Sequence, residues 1–120
     1  MQNSYTPGAS DDRPWGSWTV IDSGPGFAVK RIRVRPGGVL SLQRHQHRAE
    51  VWTIVAGLAE ITLGDDVFTA GPGECVEVAP FQIHRVANHG AQDVVFVEVQ
   101  TGPILDEDDI ERLADAYGRL

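Results

Sequence analysis

Gln43, His45, Glu50 and His84 are the residues of this chain whose types and spacing point to chemistry. The first three lie in Gly37-(x5)-Gln43-x-His45-(x4)-Glu50-(x6)-Gly57, and His84-(x3)-Asn88 follows after Gly73. Residues two apart on a strand face the same side, so Gln43 and His45 point one way together. Glu50 and His84 can close the set from neighbouring strands. An amide oxygen, two imidazoles and a carboxylate suit one divalent ion with open positions for substrate. Zinc is favoured, and manganese, cobalt, nickel and iron are compatible. Burying these groups unpaired would cost about 1–3 kcal/mol each, so metal ligation explains them together better than core packing does. His47 has the same parity; it either replaces Gln43 as a ligand or stands at the rim as a proton carrier. His89, beside Gly90 in a turn, reads as surface.

The elements that must position these groups are short strands broken by glycine and proline, at roughly 18–21, 27–35, 39–47, 50–56, 58–63, 67–69, 74–78, 83–88 and 93–100. Many short strands at close spacing predict an antiparallel sandwich or barrel. Residues 1–12 are polar and turn-prone and read as a flexible tail before a single domain, 13–120. After residue 105 the period changes. Ile110, Leu113, Ala114 and Tyr117 recur at helical spacing, and Asp106 with Asp109 resembles a capping box. The spacing predicts a short C-terminal helix ended by Gly118.

Strand parity sorts the remaining polar residues. In Lys30-Arg31-Ile32-Arg33-Val34-Arg35, Lys30 shares a face with Ile32 and Val34, so it either points into the pocket or snorkels from a strand end. The three arginines fall on the outer face. Trp52 and Ile54 share parity with Glu50 and line the interior, Trp52 as core. Glu98 and Gln100 share a face with Phe96 and can reach the pocket, where a buried carboxylate could move protons. Arg48 and Arg85 adjoin the ligand segments; as forks for phosphate they are the anion-binding candidates, with surface ion pairing as the alternative.

With 120 residues, 42 % of them hydrophobic, the chain forms one domain with a real core. A formal charge of −7 argues against nucleic acid or an anionic membrane as partner, since both require a basic surface. An anionic small molecule remains compatible, because a few arginines set the field of a pocket. No apolar run is long enough to span a bilayer and no signal-peptide pattern opens the chain. The single cysteine, Cys75, fits a reducing cytoplasm and reads as a small buried hydrophobe.

The spacing around Gln43 matches the first cupin motif, G-(x5)-H-x-H-(x3,4)-E-(x6)-G, with glutamine for the first histidine. More specific words follow one another: Arg13-Pro14-Trp15-Gly16-Ser17, Val29-Lys30-Arg31-Ile32, Leu40-Ser41-Leu42-Gln43 and His45-x-His47-Arg48-Ala49-Glu50-x-Trp52. Then come Glu98-Val99-Gln100-x-Gly102, Asp106-Glu107-Asp108-Asp109-Ile110 and Asp115-x-Tyr117-Gly118-Arg119. Over residues 13–119 the chain resembles the type II mannose-6-phosphate isomerase cupin, the C-terminal part of bifunctional isomerase/mannose-1-phosphate guanylyltransferases. The resemblance implies an all-β double-stranded β-helix jelly roll, a divalent metal, and interconversion of mannose 6-phosphate and fructose 6-phosphate. Gln43-x-His45 also resembles the metal pair of the type I isomerases, which favours Gln43 over His47. Two departures stand out: Phe81 replaces a glycine in the loop before His84, and Val51 stands where the family commonly has histidine near the site.

The expected mechanism is metal-dependent aldose–ketose isomerisation through a cis-enediolate. Metal sits on Gln43, His45, Glu50 and His84, with Arg48, Arg85, Gln100 or Lys30 on the sugar phosphate. His47, Glu98 and Lys30 are the candidate bases. Guanylyl transfer is excluded, because no glycine-rich nucleotide signature is present. A non-catalytic cupin binding a sugar phosphate is the alternative; a metal oxygenase is disfavoured by Gln43. The arginine-rich outer face and the habit of cupins suggest a homodimer.

Overall fold

The computed structural model describes residues 1–120 and consists of thirteen strands with no helix. In chain order they are β1 (Gln2–Asn3), β2 (Ser10–Arg13), β3 (Gly16–Gly24), β4 (Phe27–Val34), β5 (Leu42–Arg44), β6 (Ala49–Ala56) and β7 (Ala59–Leu63). The remainder are β8 (Asp66–Ala70), β9 (Cys75–Val78), β10 (His84–Ala87), β11 (Val94–Thr101), β12 (Ile104–Leu105) and β13 (Glu111–Ala114). Every strand expected from the glycine and proline punctuation is present. The stretch expected at 39–47 contracts to β5, because the chain turns at Gln46 and His47.

Two sheets face each other. The larger has the order β2-β3-β4-β11-β6-β9 and the smaller β13-β5-β10-β7-β8. Between them Ile32, Val34, Trp52, Ile54, Ile61, Val86, Val94 and Phe96 form the main core, with Trp52 and Phe96 ring centroids 5.4 Å apart. Alternation decides which residues enter it: Lys30, Ile32 and Val34 are buried, whereas Arg31, Arg33 and Arg35 are exposed. The glycines that frame the first motif lie where the backbone reverses. Gly37 and Gly57 have φ of 80° and 78°, a region closed to most side chains. At Gly57 an added Cβ would also stand 2.5 Å from the Asp93 carbonyl oxygen. Asn88, fully buried, ties the end of β4 to the β10–β11 connection by donating to the Val34 and Gln92 carbonyls at 2.9 and 2.8 Å.

Three expectations are corrected. The C-terminal segment is a strand: β13 pairs antiparallel with β5, Glu111 opposite Arg44 and Arg112 opposite Gln43, with a register shift between Arg112 and Ala114. An exposed edge strand of three residues leaves backbone groups unpaired, and covering it outweighs a four-residue apolar stripe with helical spacing. Where a flexible tail was expected, β1 pairs in parallel with β12, β2 pairs with β3, and Tyr5 is buried. Cys75 is exposed, because Val76 and Val78 take the inward positions of β9.

Candidate metal centre and cationic pocket

The ligand-type residues converge from both sheets. His84 on β10 and Gln43 on β5 are direct cross-strand partners in the smaller sheet. Glu50 on β6 enters from the larger sheet, and His45 comes from the turn after β5. One donor atom from each of His45, Glu50 and His84 lies within 4.8 Å of the others, and all three residues are buried. Nε2 of His45 stands 3.4 Å, and Nε2 of His84 4.0 Å, from the Glu50 carboxylate. Burial pushes His45 down to about 4, so at neutral pH it is a neutral imidazole, the form that ligates metal.

The surroundings fix the ring orientations. His45 Nδ1 lies 2.6 Å from the Asp109 carbonyl oxygen and His84 Nδ1 2.8 Å from that of Gln82. A carbonyl accepts only, so each Nδ1 carries the proton and each Nε2 is left unprotonated on the side of Glu50. Metal-binding histidines are held this way. The donor set fits a divalent ion on its chemistry and orientation. Gln43 is placed beside it: its Oε1 accepts from Ser41 Oγ at 2.8 Å and its amide nitrogen is 3.5 Å from His84 Nε2. Ligation by Gln43 requires the amide to turn its oxygen toward His84.

Arg48 and Trp52 anchor the carboxylate. Arg48 Nε donates to Glu50 Oε2 at 2.8 Å, and Trp52 Nε1 donates to Glu50 Oε1 at 3.0 Å and to Glu98 Oε1 at 3.1 Å. Burial alone would raise the Glu50 pKa; Arg48 beside it instead holds the carboxyl well below the usual range. Burial and the charge of Glu50 push Glu98 up to about 8. Arg48 continues into a network, donating to Tyr5 Oη at 3.1 Å, while Tyr5 donates to Glu107 at 2.9 Å and Lys30 Nζ bonds Glu107 at 3.0 Å. Despite its burial, Glu107 is held below its ordinary range by Lys30.

A pocket opens beside this centre, and its walls carry Arg13, Lys30, Arg48, Arg112 and Arg119 against two carboxylates, Glu98 and Glu107. The chain is acidic as a whole, yet its pocket is cationic. Glu98 and Lys30 therefore reach it as parity predicted, and Arg48 does so from the turn. Gln100 lies behind Glu98 and donates to its Oε2 at 2.8 Å. His47 is exposed and turned away, because Asp109 Oδ2 accepts from its backbone N–H at 2.9 Å and reverses the chain there. Arg85 points to the opposite side of β10 from His84 and donates to the Leu40 and Ala114 carbonyls at 3.0 and 3.5 Å, so it ties strands together. Val51 is on the outer face of β6; the absence of histidine there takes nothing from the pocket. Tyr5, Glu107, Asp109 and Arg112 were missed from sequence alone because they belong to the segments expected as tail and helix, and Arg13 because it directly follows that tail.

Residues 2–115 match the family model for the mannose-6-phosphate isomerase C-terminal domain. The chain belongs to this family. The alginate biosynthesis protein AlgA of Pseudomonas aeruginosa is 48 % identical over 107 residues, which cover 89 % of this chain and 22 % of AlgA. The mannose-1-phosphate guanylyltransferase of Escherichia coli is 44 % identical over 108 residues, covering 90 % of this chain and 23 % of that protein. The chain thus spans less than a quarter of the length of these relatives. Among solved structures, the capsular polysaccharide assembling protein CapF of Staphylococcus aureus superposes with a TM-score of 0.77 at 20 % identity, over 92 % of this chain and 35 % of CapF. A cupin-superfamily sugar phosphate isomerase from Silicibacter pomeroyi does so at 0.65 and 19 %, over 71 % and 58 %. These likenesses establish the double-stranded β-helix for this family member.

Proposed function

We propose that this domain is a metal-dependent aldose–ketose isomerase that interconverts mannose 6-phosphate and fructose 6-phosphate in the cytoplasm. The observation that carries the reading is the buried His45–Glu50–His84 cluster, with unprotonated Nε2 atoms, opening onto a pocket rich in arginine. Family membership supports the sugar-phosphate class. Those three residues, with Gln43 after its amide turns, would hold one ion; zinc comes first for this donor set, and manganese, cobalt, nickel or iron also suit it. Such an ion supplies a Lewis acid for the sugar oxygens at C1 and C2.

The chain's own groups supply the rest. Glu98 is the carboxylate that lines the pocket beside the cluster, so it is placed to carry the proton between C2 and C1. Lys30 is held by Glu107 and aids by charge rather than by proton transfer. Arg48 contributes positive charge where negative charge develops on the reacting oxygens. A coupled assay of mannose 6-phosphate turnover, before and after chelation and with ions restored, tests this. Turnover lost on chelation and regained with a divalent ion is the expected result; His45→Ala and His84→Ala should lose both metal and turnover. A variant fully active without metal would sink the scheme.

One observation favours a second reading, a sugar-phosphate binding module without turnover. Arg48 Nη2 lies 3.3 Å from His45 Nε2, so a guanidinium stands on the side where an ion would bind. Saturable binding of mannose 6-phosphate by folded, metal-loaded protein that shows no turnover would select it.

A further inference from the structure

Arg112 stands apart from the other cations of the pocket. Lys30 is engaged by Glu107, Arg48 by Glu50, Arg119 by Asp115 and Arg13 by Asp11. Arg112 makes no salt bridge, and its Nε is buried with no hydrogen-bond partner. A second orphaned donor, Trp18 Nε1, lines the same pocket from β3 in the opposite sheet. Two buried N–H groups without acceptors are costly unless a ligand supplies the acceptors. Both are donors only, so the ligand group they fit is acceptor-rich and anionic.

Register fixes how far this subsite lies from the metal cluster. Arg112 pairs with Gln43, and Gln43 pairs with His84, so the three form one row across β13, β5 and β10 on the same face. Two strand spacings put the backbones of Arg112 and His84 about 10 Å apart. In an extended chain three bonds span about 3.5 Å, so the seven bonds from C1 to phosphorus of a hexose 6-phosphate span about 8 Å. The row therefore has the length of such a substrate, with its sugar oxygens at the His84 end and its phosphate at the Arg112 end.

We infer that Arg112 anchors the phosphate monoester of the substrate and that Trp18 Nε1 donates to the same group. This rests on the sugar-phosphate reading above and gives β13 the phosphate-holding role expected of Arg48, Arg85 or Lys30. No proton or bond changes hands at this subsite; it orients and holds.

The test compares wild type with Arg112→Ala and Arg112→Lys by calorimetric titration of inorganic phosphate and of mannose 6-phosphate, and by the coupled assay. Arg112→Ala should weaken both affinities, and raise KM, about tenfold or more. Melting temperature and bound metal should stay near wild type, and Arg112→Lys should recover part of the affinity. A merely structural role would instead lower the melting temperature and the bound metal. Unchanged phosphate affinity in Arg112→Ala, or a wild type that binds no phosphate, overturns the subsite. Arg112-dependent phosphate binding in a wild type without turnover would retain the subsite and overturn only the isomerase reading.

Discussion

His45 Nδ1 lies 2.6 Å from the carbonyl oxygen of Asp109, so a residue of the C-terminal segment sets the ring orientation of a candidate ligand sixty-four positions earlier. The Asp109 carboxylate reinforces this from the same place, accepting from the backbone N–H groups of Gln46 and His47 at 2.9 Å each. Burial opposes its charge, yet these two donors hold its carboxyl below the usual range.

Asp109→Ala keeps the carbonyl but frees the turn that carries His45. Divalent-metal affinity, read by chelator competition, should fall about 10–100-fold, the range seen when partners of metal ligands are removed. Unchanged affinity would mean that the turn holds its shape without the carboxylate.

Glu98→Gln preserves the acceptor for Trp52 Nε1 and removes the ionisable proton. If Glu98 carries the proton, kcat should drop about 10²–10⁴-fold while metal content and KM change little. A fully active Glu98→Gln would reassign the task to Lys30, the other candidate base that lines the pocket.

Phe81 has φ of 65°, in the left-handed region, on the loop where the cupin pattern places glycine. This is the conformation glycine adopts most readily, and Phe81 N–H donates to the His45 carbonyl at 2.7 Å. The side chain is mostly exposed and little packing is lost by removing it. Phe81→Gly should therefore raise unfolding stability by about 1 kcal/mol in denaturant titration. A destabilised variant would show that Phe81 contributes contacts worth more than the strain.

Glu107, held below its ordinary range by Lys30, makes a stability contribution with a defined sign. A carboxyl with a depressed folded-state pKa stabilises the fold above its unfolded pKa. The contribution is lost as pH falls through the unfolded and then the folded value. Between pH 7 and 3, wild type should lose more stability than Glu107→Gln, measured by denaturant midpoints. Parallel curves would refute the linkage.

The chemistry of the centre was legible because strand alternation is strict where both faces are specified. Lys30, Gln43, Glu50, Trp52, Glu98 and Gln100 all face as their parity demands. Parity misled at His47, since it holds only while a strand continues, and β5 ends at Arg44. The segments that complete the site were illegible for a different reason. Local pattern gave 106–118 a helical stripe and 1–12 a polar tail, but the need to pair β5 and to cover Tyr5 is set by distant residues. A period counted over a few residues carries no information about a partner strand seventy positions away.

The pairing of β13 with β5 also orders events in time. A chain made from its N-terminus can pair β4, β6 and β11 before β13, which follows them in sequence, is in place on β5. Until then His45 has no carbonyl to orient it and the pocket lacks its unpaired arginine. A nascent domain stalled short of residue 109 would be folded in its core yet unready to hold a metal.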